Sequence, residues 1–169
     1  MFSIAKALNV SETGAHVGVV VYSKYAEVAI KFSDHKDTSS FQNAVYNLRH
    51  MKSFTRIDEG LKVAYSQLFS PLYGGARTDV KKLAVILTDG KQSTINGVKE
   101  SVAEAAKLLI DSGIKTLSIG IGSAIDKDEL RAMVEYDEDV ITTSNFDELL
   151  RKVQDISQVA CEQLSKCRV

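Results

Sequence analysis

Short β-branched runs alternate with stretches of helical periodicity along most of this chain, and one of them, KLAVILT at residues 82–88, is apolar without a break through its middle. A strand with one face in water alternates apolar and polar positions. An unbroken run implies burial on both faces, and so a central place in a parallel sheet covered by helices on either side. KTLSIGIG at 115–122 reads the same way, and DVITT at 139–143 is a third, shorter strand. Helical patterns separate them, which is the grammar of an α/β doubly wound sheet.

The front half starts differently. HVGVVVYS (16–23) and AEVAIKF (26–32) are separated by only a few residues around Ser23 and Lys24, a spacing that predicts an antiparallel hairpin at one edge of the sheet. TSSFQNAVYNLRHM (38–51) predicts a helix with Phe41, Val45 and Leu48 on its buried face and Thr38 or Ser39 as its cap. IDEGLKVAYSQLF (57–69) predicts a second, burying Ile57, Leu61, Ala64, Tyr65 and Leu68. Pro71, Gly74 and Gly75 mark a surface loop. VKESVAEAAKLLIDSG (98–113) is a helix stopped by Gly113, DKDELRAMVEY (126–136) a short helix with an Asp at its start, and NFDELLRKVQDISQVACEQL (145–164) a closing helix capped by Asn145. A helix over the first residues, with no strand ahead of it, leaves the doubly wound pattern without its opening strand.

The length of 169 residues is that of one domain, placed at residues 1–161 with a tail or linker at 162–169. A net charge of −1 with scattered Lys and Arg offers no basic stripe for a nucleic-acid backbone. No apolar run approaches the roughly 20 residues of a membrane span, and MFSIAKALNV reads as amphipathic helix rather than signal peptide. Both cysteines, Cys161 and Cys167, fall in the last nine residues and cannot staple the body of the fold to itself.

The phrases HVGVVVYS, FTRIDEGLKVA, GGARTDVKKLAVILTDGKQS, LSIGIGSAIDKDELRAM and NFDELLRKVQDISQVAC, in this order and spacing, resemble the von Willebrand factor type A domain, and the resemblance covers nearly the whole chain. The resemblance implies a Rossmann-like sheet in strand order 3-2-1-4-5-6. It implies a non-enzymatic adhesion module whose metal-ion-dependent site gathers a D-x-S-x-S motif after the first strand, a Thr before a helix and an Asp after a central strand. By this alignment the metal residues are Thr55 and Asp89, and the D-x-S-x-S motif and its strand are expected upstream of Met1. The implied cation is Mg²⁺ or Mn²⁺, small ions served by hard oxygen donors, and with only two ligands in the chain no stable cation site is expected in these residues alone. The implied partner is a protein supplying a carboxylate, collagen or another matrix component among the possibilities, with the loops GGARTD and KQSTIN flanking the site. The resemblance also implies a secreted, extracellular, multidomain context. Cys161 would then pair with an upstream cysteine, and Asn9-Val10-Ser11 is an acceptor sequon that makes Asn9 a glycosylation candidate. An absent inner strand is expected to leave the sheet open in its middle.

Other readings of the same residues stand beside these. Thr55 and Asp58 fit a capping pattern before an apolar helix, and Asp89-Gly90 fits a simple turn. Arg56, Ile57, Asp58 and Glu59 depart from the family's usual Thr and Gly, and their carboxylates are expected to weaken the cation's pull on an acidic partner. Ser23, Ser93 and Thr94 are either partner contacts or ordinary loop polarity. GIGSAI matches only two glycines of a dinucleotide fingerprint, so Gly120 and Gly122 read as close-packing positions; with no phosphate loop either, a nucleotide-dependent enzyme is the weakest alternative. An intracellular scaffold of the same fold is the stronger one. His16, His35 and His50 lie on separate elements with no partner at ligand spacing.

Overall fold

The computed structural model describes residues 10–49, 53–149 and 151–152. Asn9, His50, Cys161, Cys167, the opening helix and most of the closing helix lie outside the described residues.

β1 (Val19–Tyr22) and β2 (Ala26–Ile30) form the antiparallel hairpin, with a register irregularity between Val19 and Val20. α1 (Thr38–Tyr46) follows, then α2 (Ile57–Val63), which widens into one π turn at Ala64–Leu68. β3 (Lys82–Thr88), α3 (Val102–Asp111), β4 (Ile114–Ile121), α4 (Lys127–Ala132), a 3₁₀ turn at Asp137–Asp139 and β5 (Val140–Thr143) complete the described alternation. β3, β4 and β5 make a parallel sheet in that order, and β1–β2 is a separate two-stranded sheet. This is the α/β, mostly parallel, doubly wound architecture with an antiparallel edge strand.

The strand buried on both faces is β4, whose residues are buried at every position except Lys115. Among the described residues KLAVILT stands at one edge of its sheet. Among the described residues β3 pairs only with β4, so Leu83, Ala84, Val85 and Leu87 remain half-buried. One face of the sheet carries Ile86 and Ile114 against Ile57 and Leu61 of α2, Leu109 of α3 and Met133. The other face packs Leu117, Ile119 and Ile121 with Leu149 at the start of the closing helix.

Local signals mostly act where the sequence places them. Asp126 accepts from the Asp128 and Glu129 amides, Asn145 accepts from the Glu148 amide, and Gly113 ends α3 with φ +71°. α1 is capped by Asp37, one residue ahead of the expected Thr38 or Ser39; its carboxylate reaches the Ser40 amide at 2.8 Å. α3 begins at Val102 under a Ser101 cap, because Ile95, Asn96, Gly97 and Val98 form a tight turn with positive φ at Asn96 and Gly97. Tyr65 is 40% exposed and not part of the buried face, since the π turn rotates the positions that follow Val63. Gly120 is a close-packing position, where an added Cβ would meet Leu130 Cδ1 at 2.5 Å.

Candidate metal centre at the strand ends

β3 and β4 run in parallel and end together, so the loops that leave them converge on one rim. Asp89 follows the last residue of β3 and is exposed there. Thr55 reaches the same place from the segment before α2: a Cβ built on Gly90 would lie 3.6 Å from Thr55 Oγ1. Two sequence-distant residues, one carrying a hydroxyl and one a carboxylate, therefore share this rim.

The loop after β3 holds Thr55 by its backbone. The Thr55 amide donates to Ser93 Oγ at 2.8 Å, and the Ser93 amide donates back to the Thr55 carbonyl at 2.8 Å. Ser93 thus clasps Thr55. The β1–β2 hairpin joins the rim through Ser23, whose carbonyl accepts from the Arg56 amide at 3.0 Å while its own side chain is buried. Thr94 is exposed.

Thr55 does not cap α2. The N-cap position is Arg56, without a side-chain bond, and the capping group comes from Gln92: its Oε1 accepts from the Ile57 amide at 2.7 Å and from the Asp58 amide at 3.4 Å. Asp58, which would complete the local capping pattern, is fully buried and turned to other partners. Arg56 grips its carboxylate with Nε at 2.7 Å and Nη2 at 2.6 Å, the Gln92 side-chain amide donates to it, and Lys62 stands at 3.4 Å. Burial pushes the Asp58 carboxyl up, but these hydrogen bonds and the Arg56 charge outweigh it and hold the group well below the usual carboxylate range. Glu59 is paired with Arg56 and Lys62. The two carboxylates expected to weaken a cation's pull on an acidic partner are therefore balanced by Arg56 and Lys62.

Glu129 is committed as well, to the Gln92 backbone amide at 2.8 Å and to Lys99 at 2.5 Å. Asp89 differs: among the described residues it forms no ion pair and no side-chain hydrogen bond, although its charge is felt by Tyr22 nearby. An exposed carboxylate left free beside a hydroxyl matches, in donor type, what a small hard cation requires. Two protein donors fill only part of an octahedral shell, and among the described residues no group of three or more His, Cys, Asp or Glu could hold a metal. His16 bonds the Glu12 carbonyl and His35 bonds Ser40, away from any such group.

Of the two loops expected to flank the site, KQSTIN does so and GGARTD does not. Gly74 accepts from the Phe32 amide just past the end of β2, and the segment leads directly into the start of β3, so it lies at the opposite pole. A strand's preceding loop sits at its N-terminal end by construction. A depression of about 390 Å³ lies on the rim between the loops after β4 and β5, lined by Gly122, Ser123, Lys127 and Glu148 among others.

The chain is 29% identical to Matrilin-1 of Gallus gallus, covering 94% of the chain and 32% of the relative, and 28% identical to the Collagen alpha-1(XXI) chain of Homo sapiens, covering 90% and 16%. It spans about a third or less of the length of these relatives. Proximal thread matrix protein 1 from the mussel byssus, solved with a zinc-occupied MIDAS motif, superposes with a TM-score of 0.81 at 26% identity, covering 94% of the chain and 39% of that structure. The model of the von Willebrand factor type A domain matches residues 1–158. With its sheet, its helices and its rim at the strand ends, this chain belongs to the von Willebrand factor type A domain family.

Proposed function

We propose that this chain is a non-enzymatic protein-binding module of the extracellular matrix, which engages its partner at the rim carrying Thr55 and Asp89. Asp89 carries the reading: it is the rim carboxylate left without a partner among the described residues, and it lies on the same loop as Gly90, beside the Thr55 hydroxyl. In this reading Thr55 and Asp89 contribute two oxygens to Mg²⁺ or Mn²⁺, whose other ligands come from outside the described residues. A cation held by few carboxylates keeps net positive charge and draws a carboxylate from a protein partner. The matrilin and collagen relatives support a matrix partner, a collagen among the candidates, and an extracellular, multidomain setting; in such a setting the Asn9 sequon would be an acceptor for glycosylation and Cys161 would be disulfide-bonded.

Titration calorimetry with Mg²⁺ and Mn²⁺ tests the reading, on these 169 residues and on the longest form of the chain that its transcript encodes. The expected result is binding by the longer form that disappears in Asp89→Ala while the fold persists, together with chelator-sensitive retention on immobilised matrix protein. Retention indifferent to chelator and to Asp89→Ala overturns it in favour of a metal-independent scaffold.

A further inference from the structure

The first turn of an α-helix has amides with no partner in the helix, and they are usually served by the residue just ahead of it. α2 is served from 35 residues away. Gln92 is 4% exposed, its Oε1 accepts from the Ile57 and Asp58 amides, and its Nε2 donates to the Asp58 carboxylate. Its own backbone amide is held at 2.8 Å by Glu129 of α4. Both helix amides and the Asp58 carboxylate are served by Gln92, and the Thr55 hydroxyl, just ahead of the helix, takes no part. The sequence offers Thr55 as a cap three residues before Asp58, and the fold declines the offer because Gln92 already fills the position.

We propose that Gln92 is the positioning residue of this rim: by capping α2 from the loop after β3, it spares the Thr55 hydroxyl from capping duty and keeps it turned toward the Asp89 loop. The proposal rests on the reading of Thr55 as a rim ligand, and deepens it. Two linkages cooperate. Ser93 fixes the Thr55 backbone, and Gln92 removes the helix amides that would otherwise attract its side chain. Position is therefore set by the same five-residue loop that carries Asp89, so the two candidate ligands move together.

Gln92→Ala tests this by NMR on the whole chain. The expected outcome is exchange of the Ile57 and Asp58 amides faster by about tenfold, as loss of a cap predicts, with β4 amides unchanged and the Thr55 χ1 rotamer, read from three-bond couplings, redirected toward the helix. Gln92→Glu guards against a variant that does not fold. Protonated, the introduced acid donates to Asp58 as the amide does. Ionised, it faces Asp58, Glu59 and Glu129, with Arg56, Lys62 and Lys99 as the opposing cations, so Ile57 protection should be native-like at low pH and fall as pH rises. Unchanged Ile57 exchange in Gln92→Ala overturns the proposal, as does faster exchange with the Thr55 rotamer unmoved. Mn²⁺-induced broadening at Thr55 and Asp89 separates this from the function reading: a Thr55 that redirects in the variant, in a protein that shows no Mn²⁺ effect, leaves the positioning role standing and removes the metal.

Discussion

The Tyr22 hydroxyl at the end of β1 donates to the carbonyl oxygen of Leu87 near the end of β3, and so ties together two sheets that share no strand pairing among the described residues. The phenol that makes this tie stands beside the rim. Burial, followed by the negative charge of Asp89, pushes it up to about 12 against the opposing hydrogen bond with Thr88.

That shift fixes an alkaline limit. The folded protein keeps the proton that the unfolded chain releases near pH 10, so stability from this group is complete below about 10 and is lost as pH rises toward 12. Two pH units correspond to about 3 kcal/mol. Denaturant midpoints between pH 8 and 12 should fall in the wild type and fall less in Tyr22→Phe. Identical alkaline slopes in the two proteins would remove Tyr22 from the account.

Gly60 makes room for the same ring. A Cβ there would sit 2.9 Å from Tyr22 Cδ1, so Gly60→Ala, which ordinarily stabilises a helix by roughly 0.5–1 kcal/mol, should here cost about 1–3 kcal/mol through overpacking. Combining it with Tyr22→Ala should restore the ordinary sign. A double-mutant cycle by urea unfolding checks this, and additive effects would mean that ring and glycine are independent.

Two further glycines should separate crowding from backbone strain. At Gly74 an added Cβ would fall 1.7 Å from the Leu68 carbonyl oxygen, a backbone atom that cannot swing aside. At Gly97 the φ of +79° is adverse but the space is open. Gly97→Ala should therefore cost only about 1–2 kcal/mol, and Gly74→Ala visibly more, with loss of the packing around the π turn. Thermal unfolding of the two variants side by side decides it, and equal losses would contradict the geometry.

What the sequence made legible was whatever is local. Asp126, Asn145 and Gly113 act within a few residues of themselves, and strands β3, β4 and β5 follow from apolar runs of the right length. Asp89 was legible as a strand-end acid because the run before it ends so clearly. The centre of the described sheet was not legible from the apolar runs alone, which do not say which of two buried strands has neighbours on both sides; it follows only from the expected opening beside KLAVILT. Nor was the role of Gln92, whose partners Ile57 and Asp58 lie 35 and 34 residues earlier and share no periodicity with it. Ser93 gave no signal beyond standing shortly after Asp89. Asp58 completes a capping pattern with Thr55 in the sequence, but its side chain has stronger partners, Arg56 above all.

Asp58 also sets an acid limit. Its carboxyl is fully buried, and in a bare cavity that would favour the neutral form, but the bidentate Arg56, the Gln92 amide and Lys62 favour the anion. Its folded value therefore lies below its unfolded value near 4, and between the two the unfolded chain binds more protons. The stability this provides is present above about pH 4 and is lost as pH falls through the folded value. Glu148, held down to about 2 by the Ser144 amide and hydroxyl and by Lys152, titrates in the same direction, so removal of Asp58 should flatten the acid limb without abolishing it. Asp58→Asn should accordingly cost about 1–3 kcal/mol at neutral pH, because it removes the buried, bidentate carboxylate from Arg56 and leaves the guanidinium only the half-exposed Glu59 as a counter-charge. Below pH 4 the gap to the wild type should narrow. Urea midpoints measured from pH 3 to pH 7 give both curves, and parallel curves would mean that Asp58 does not carry the acid sensitivity of this fold.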